Sequence, residues 1–164
     1  MTNQPEAERL ACNITIDYSS VLGSRVLPFE FCLNLTDSVL EPAPGQRQRF
    51  SYHIRAMGSE EFRCVNLAYF MIGLCKDITE DQLGRISVKR NGMPETVVLG
   101  ENVTLLHPDA PDHNTGCSGL KFHFSLDKAC GEMDVSFELT NCYRVGPAPV
   151  CVYGGGVSRN VLSL

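Results

Sequence analysis

The sequence predicts an all-β protein, a two-sheet sandwich or jelly roll of about ten short strands with little helix. Apolar and polar residues alternate along several short segments, which is the pattern of strands with one buried and one solvated face. Turn residues such as Asn91-Gly92 separate these segments at short intervals. Together these two features favour packed sheets over any helical or α/β architecture.

The composition is that of one globular domain. The chain has 164 residues, of which 43% are hydrophobic and 20% charged, enough to bury a sizeable core. Residues 1–11 are polar and acidic, so we expect a flexible arm there, followed by a single β-sandwich domain over residues 12–164.

The first half of the chain contains several predicted strands. Alternation predicts strands at Cys12–Tyr18, at Val26–Thr36 and from Phe50 to Ala56. Residues Cys64–Cys75 are apolar in both phases, which predicts a central strand buried on both faces. A short helix is the alternative there, but β-forming residues dominate and Gly73 would weaken a helix.

The second half begins with the one segment suited to a helical turn, Asp77–Leu83, with Thr79 as its N-cap. Strands are then predicted at Arg85–Arg90 and Glu95–Gly100. They flank Asn91-Gly92, a strong signal for a hairpin turn.

Four further segments complete the strand prediction. Val103–Leu106 and Val150–Tyr153 are short strands. Between them, Leu120–Leu126 and Met133–Leu139 alternate in phase, and the loop Asp127–Glu132 suits a hairpin connection. We therefore expect these two segments to pair as adjacent strands of one sheet.

The eight cysteines predict disulfide chemistry. An even count in a β-rich chain is typical of an oxidised protein. The expected hairpin register places Cys117 opposite Cys142, and Cys142–Cys151 is the competing pair. A strand from Cys64 to Cys75 would span roughly 36 Å, so these two should not bond each other. The candidates for internal disulfides are Cys32, Cys64, Cys75, Cys117, Cys142 and Cys151.

Two cysteines are predicted to be exposed. Cys130 lies at the expected hairpin tip, and Cys12 follows the expected arm. Each is either an inert or internally paired thiol, or a thiol that links neighbouring subunits through an intermolecular disulfide.

One segment carries residues suited to metal binding. His107, Asp109, Asp112 and His113 combine imidazole with carboxylate. Proline and aspartate are also ordinary turn residues, so a solvated loop is the favoured interpretation, with no metal and no cofactor. Neighbouring thiols with zinc-ligand spacing are absent from the sequence.

Catalysis is not expected. A triad can be drawn from Cys117, His113 and either Asp109 or Asp112, but no sequence feature identifies an activated thiol. The chain also lacks a Gly-x-Ser-x-Gly elbow. We therefore predict a protein that is not an enzyme.

Charge and hydropathy restrict the partners. A net charge of -5 argues against a general nucleic-acid binder, which would need a basic face. The sequence contains no apolar run of about 18 residues that would predict a transmembrane segment. No secretory signal is visible, although the cysteines favour an oxidising location. We predict an extracellular protein, or one at a cell or spore surface.

The segments 116–127 and 142–156 resemble cysteine-bearing β-proteins of bacterial spore surfaces, found among coat, exosporium and appendage components. This resemblance implies a leaderless protein that is made in the mother cell, assembles on the spore and is oxidised there. The appendage subunits carry a clustered cysteine arm at the N-terminus, whereas this chain has only Cys12 there, so the resemblance leaves the linking cysteine open.

Two functions follow as hypotheses. The first is a structural, self-assembling subunit of a fibre or surface layer, whose partner is itself and whose contacts use disulfides and edge-strand pairing. The alternative is a carbohydrate- or surface-binding β-sandwich module that uses loops such as His107–Asn114.

Overall fold

The computed structural model describes residues 10–14, 26–146, 148–155 and 157–163. These residues form two antiparallel sheets, which confirms the predicted all-β sandwich. Most of the predicted arm lies outside the described residues, and so does Tyr18. The first strand begins at Leu10. The strands are β1 (Leu10–Ile14), β2 (Phe29–Asn34), β3 (Gln48–Ala56), β4 (Tyr69–Ile72), β5 (Leu83–Arg90), β6 (Met93–Glu95), β7 (Val103–Leu106), β8 (Gly119–Phe122), β9 (Glu132–Leu139), β10 (Ala148–Gly154) and β11 (Val157–Ser163).

The two sheets differ in size. The six-stranded sheet has the order β1-β2-β3-β9-β5-β6, and the five-stranded sheet has the order β11-β10-β4-β8-β7. On one side of the sandwich, β1 lies beside β11, so the two sheets approach each other there. On the other side, β6 and β7 are the outermost strands.

The core lies between the sheets and is rich in phenylalanine. Phe31 of β2 meets Phe70 of β4 across the sandwich, with ring centroids 5.4 Å apart. Phe70 also stacks on Phe122 of β8 at 5.0 Å. The described residues of β4 are all buried, and β4 is the middle strand of its sheet, which confirms a central strand. It is shorter than the predicted Cys64–Cys75, because Leu67 forms only an isolated bridge, to Leu126.

The predicted hairpin of β8 with β9 is wrong. β8 pairs with β4 and β7, whereas β9 pairs with β3 and β5 in the other sheet. Alternation identifies the buried face of a strand but not its partner, and the two buried faces here meet across the core. The connection turns at Asp127, whose Oδ2 accepts the backbone N–H groups of Ala129 at 2.9 Å and Cys130 at 3.0 Å.

The predictions of local turns agree with the structure better than the predicted pairing of β8 with β9. Asn91 and Gly92 both have positive φ, 52° and 80°, as a type I′ hairpin turn between β5 and β6 requires. The helical turn is a 3₁₀ turn at Glu80–Gln82, where the Thr79 N–H donates to Gln82 Oε1 at 2.9 Å. The strand after the hairpin is Met93–Glu95 instead of Glu95–Gly100, and β11 was not predicted.

Candidate functional site

Two disulfides connect parts of the sandwich. Cys12 and Cys32 occupy directly opposed positions of β1 and β2 and are bonded. Cys12, a candidate for an intermolecular disulfide, is therefore internally paired. The second bond joins Cys117, in the loop before β8, to Cys151 of β10, with Cα atoms 6.7 Å apart. It fastens that loop across the outer face of the five-stranded sheet.

The expected pairs Cys117–Cys142 and Cys142–Cys151 are both absent, and Cys142 is free. The first pair depended on a hairpin that does not form. In the actual sheet, Cys151 lies opposite Met71 of β4, and Met71 lies opposite Lys121 of β8. Cys151 is therefore close to the chain that leads into β8, where Cys117 lies.

Four cysteines of the described residues are free, and they lie at the two ends of the sandwich. We call one end the Phe62 end, where β3 finishes and β9 begins; it carries Cys64 and Cys130. We call the other end the pocket end, where β9 finishes and β10 begins; it carries Cys75 and Cys142. Cys64 and Cys75, expected as internal candidates, therefore stay unbonded in loops at opposite ends. Cys75, Cys130 and Cys142 are exposed, and Cys64 is half-buried.

Cys130 has the exposure that the sequence predicted, and its chemistry is set by Asp127. Its thiol donates to Asp127 Oδ2 at 3.3 Å. This hydrogen bond and the charge of the same carboxylate raise the pKa of Cys130, with a smaller contribution from Glu60. Because the thiolate is the reactive form, Cys130 should react slowly near neutral pH.

A buried carboxylate, Asp112, holds the loop before β8 against the outer face of the five-stranded sheet. Its side-chain Oδ2 accepts hydrogen bonds from the Tyr69 hydroxyl at 2.7 Å and from Thr115 Oγ1 at 2.8 Å. Its Oδ1 accepts from Lys121 Nζ at 2.8 Å. Asp112 is only 5% exposed, so these partners replace most of its water. We call Asp112, Tyr69, Thr115 and Lys121 the loop clamp.

The electrostatics of the loop clamp favour one protonation state. Burial raises the pKa of Asp112, but hydrogen bonds from Lys121, Tyr69 and Thr115 outweigh burial and lower it to about 2. Burial and the hydrogen bond to Asp112 raise the pKa of Tyr69 to about 12. Asp112 is therefore ionised and Tyr69 protonated at neutral pH. Such a pair fixes structure and does not exchange protons near pH 7.

The aromatic ring of Tyr69 is enclosed as well. Lys121 Nζ lies 4.0 Å from its centroid, and the rings of Tyr153 and His123 have centroids at 5.1 Å and 5.3 Å. Asn114 Nδ2 also donates to the Tyr69 hydroxyl at 3.1 Å. Asp112 and Asn114 belong to the loop His107–Asn114, which the alternative function assigned to binding, and both are thus engaged within the protein.

The metal candidates His107, Asp109, Asp112 and His113 do not converge on one point. Within the described ranges, the one cluster with metal-ligand spacing is Cys12, Glu30 and Cys32. Both of its sulfur atoms are already bonded to each other. Cys117 is likewise in a disulfide, so the Cys117–His113 pair has no thiol nucleophile.

An apolar pocket of about 360 Å³ opens at the pocket end, between the two sheets. Phe50, Tyr52 and Phe137 form an aromatic wall, with the rings of Phe50 and Phe137 stacked at 5.3 Å. The segment over the pocket is fixed by Gln48, whose Nε2 donates to Tyr143 O at 2.8 Å and whose Oε1 accepts the Tyr143 N–H at 2.9 Å. Sequence reasoning missed this pocket because its walls come from distant segments.

Among the described residues, no helix has the length and apolar character needed to cross a membrane. The two disulfides indicate an oxidising compartment. Comparison of the chain with family models, with curated proteins and with solved structures finds no match.

Proposed function

We propose that the protein is a structural, self-assembling subunit of a fibre or surface layer, in which exposed thiols form disulfides between copies. One observation carries this proposal: Cys75, Cys130 and Cys142 are free and exposed in a protein that already holds two internal disulfides. Conditions that oxidise Cys117 and Cys151 also favour oxidation of accessible thiols. Such thiols react with each other when two copies bring them together.

The chemical step is a two-electron oxidation. One thiol from each of two copies loses its proton, one S–S bond forms, and a small disulfide is reduced to two thiols. In an assay, oxidised glutathione serves as this oxidant. One protein thiol first forms a mixed disulfide with glutathione. The thiolate of the second copy then attacks this mixed disulfide, forms the protein disulfide and releases glutathione.

Edge-strand pairing, the other contact expected, has weaker support. β6 has three residues, and one of them is Pro94, which has no N–H to donate. At the neighbouring edge, the Gly100 N–H donates to Val103 O at 2.7 Å, so the preceding loop covers part of β7. Short, proline-containing and covered edges resist pairing with another chain. The ends of the sandwich, which carry the free thiols, are the better candidates for contact.

The spore-surface or extracellular location remains part of this proposal. Two disulfides support an oxidising compartment, and the resemblance of segments 116–127 and 142–156 to spore-surface proteins supports assembly outside a cell.

The test is a ladder of covalent oligomers. Purified protein incubated with oxidised glutathione should give a series of bands on a non-reducing gel that collapses to monomer with dithiothreitol. A variant with serine at positions 64, 75, 130 and 142 is the matched control and should stay monomeric. A clean monomer for the unmodified chain under both conditions would contradict the proposal.

A further inference from the structure

We propose that copies join head to tail, with Phe62 of one copy seated in the apolar pocket at the opposite end of the next. This inference rests on the self-assembly proposed above and specifies its contact and its polarity. It is carried by the shape, charge and thiols of the two ends.

Phe62 is the projecting element. Its relative exposure is 86%, the largest among the exposed large apolar residues of the described chain. The loop that carries it is well held: the Cys64 N–H donates to Glu61 O at 3.0 Å, and Arg63 pairs with the Glu61 carboxylate at 2.7 Å. Met57, 51% exposed, lies at the same end. A highly exposed aromatic ring on a fixed loop suits insertion into a partner.

The receiving element is the pocket at the other end. Its volume, about 360 Å³, lies within the range of small-ligand sites and exceeds what one phenyl ring needs. Its walls are mainly apolar, with Phe50, Tyr52 and Phe137 on the six-stranded sheet and Ile72 on the five-stranded sheet. Edge-to-face or offset contacts with these rings would hold an inserted phenylalanine.

Charge favours the same pairing. Arg144 is the charged residue among those lining the pocket. Glu60 lies two residues before Phe62 and is exposed, whereas Glu61 is already paired with Arg63. Insertion of Phe62 therefore brings the exposed Glu60 carboxylate to the end that carries an exposed guanidinium.

The free thiols fit the same arrangement. Cys130 lies close enough to Glu60, in the Phe62 loop, for that carboxylate to affect its pKa. At the other end, Cys75 lines the pocket itself, and Cys142 directly precedes the pocket residue Tyr143. Docking therefore places the thiols of one end against the different thiols of the other. A contact between two different ends continues into a filament when the rotation between successive copies does not close a ring.

The test uses two half-blocked chains. Chain one carries Cys75→Ser and Cys142→Ser, so its free thiols lie only at the Phe62 end. Chain two carries Cys64→Ser and Cys130→Ser, so its free thiols lie only at the pocket end. Both keep their internal disulfides. Each chain alone and an equimolar mixture are incubated with oxidised glutathione, and covalent products are resolved on non-reducing gels and mapped by mass spectrometry.

The expected result is a covalent dimer of chain one with chain two that forms in the mixture and stops there, because neither chain has thiols at both ends. Dimers that form equally well from chain one alone would overturn the head-to-tail contact and leave self-assembly standing. Absence of any covalent product, here and with the unmodified chain, would overturn self-assembly itself.

A second variant tests the pocket contact. Phe62→Ser in chain one should slow formation of the mixed dimer at least about tenfold, since it removes a buried phenyl ring from the contact. Leu99→Ser in chain one is the matched control, because Leu99 is an exposed apolar residue in the loop between β6 and β7 and does not line the pocket, and it should leave the rate unchanged. Equal rates for Phe62→Ser and the unmodified chain one would overturn the assignment of Phe62 to the pocket.

Discussion

The stability of the protein should depend on pH through Asp112. This carboxylate is 5% exposed and joins the loop before β8 to Tyr69 and Lys121 of the outer sheet face. Asp112→Asn keeps the size of the side chain but removes the charge that Lys121 faces. The variant should therefore unfold more easily than the unmodified protein at neutral pH.

The magnitude follows from the pKa of Asp112, which is lowered from its ordinary value of 3.8 to about 2 in the folded protein. Such a decrease corresponds to about 2 kcal/mol of stability. Because the folded-state pKa is the lower one, the folded protein gains from ionisation. The contribution is complete above the unfolded pKa of 3.8 and is lost as the pH falls through about 2. At pH 3, roughly half of it should remain.

Urea unfolding at pH 7, 5, 3 and 2, with both disulfides kept oxidised, measures this contribution. The difference in unfolding free energy between the unmodified protein and Asp112→Asn should be about 2 kcal/mol at pH 7 and should shrink towards zero at pH 2. Asp109→Asn, an exposed residue of the same loop, is the matched control and should show little change at any pH. Other carboxylates also titrate in this range, so only the difference between variants is diagnostic.

A difference between the two proteins that stays constant from pH 7 to pH 2 would refute this reasoning. It would mean that Asp112 contributes through packing or neutral hydrogen bonds instead of through its charge. Equal stability at every pH would refute the role of the loop clamp altogether.

Three further outcomes are expected. Asp127→Asn should speed alkylation of Cys130 by iodoacetamide at pH 7, since the carboxylate that raises the thiol's pKa is gone while the turn keeps an acceptor; an unchanged rate would argue against this control of the thiol. Cys151→Ser should lower the unfolding free energy by about 2–4 kcal/mol in urea, because it opens a loop with a sequence separation of 34, whereas Cys130→Ser should not. Phe70→Ala should cost about 3–5 kcal/mol in the same assay, since the ring is fully buried between two others, and a loss below about 1 kcal/mol would contradict that packing.

Local signals in the sequence predicted the strands well, and their pairing poorly. Asn91-Gly92 specifies a tight turn because both residues adopt positive φ at low cost, so this hairpin follows from two adjacent residues. The alternation in β8 and β9 correctly identifies their buried faces. Whether two such faces lie side by side in one sheet or opposite each other across a core depends on strands distant in sequence, which alternation does not encode.

The cysteine pairing and the pocket could not be predicted from the sequence for the same reason. The bond between Cys117 and Cys151 depends on β8 and β10 both flanking β4. The pocket is formed by residues from both sheets. Lys121 binds Asp112 only because the loop that carries Asp112 folds back over the sheet. The exposure of Cys130 was predictable, because Asp127 and Gly131 mark a turn whichever strands it connects.

The low reactivity of Cys130 and its proposed role are compatible. Asp127 keeps the thiol protonated, so random encounters with small disulfides or unbound copies rarely oxidise it. Docking raises the effective concentration of a partner thiol that already carries glutathione to the millimolar range or above, which accelerates displacement of that glutathione by the Cys130 thiolate within the docked pair without any change of pKa. If copies join through Phe62 and the pocket, a thiol of this kind forms its bond mainly after the correct contact has been made. The disulfide then makes permanent an arrangement that apolar insertion and charge have already selected.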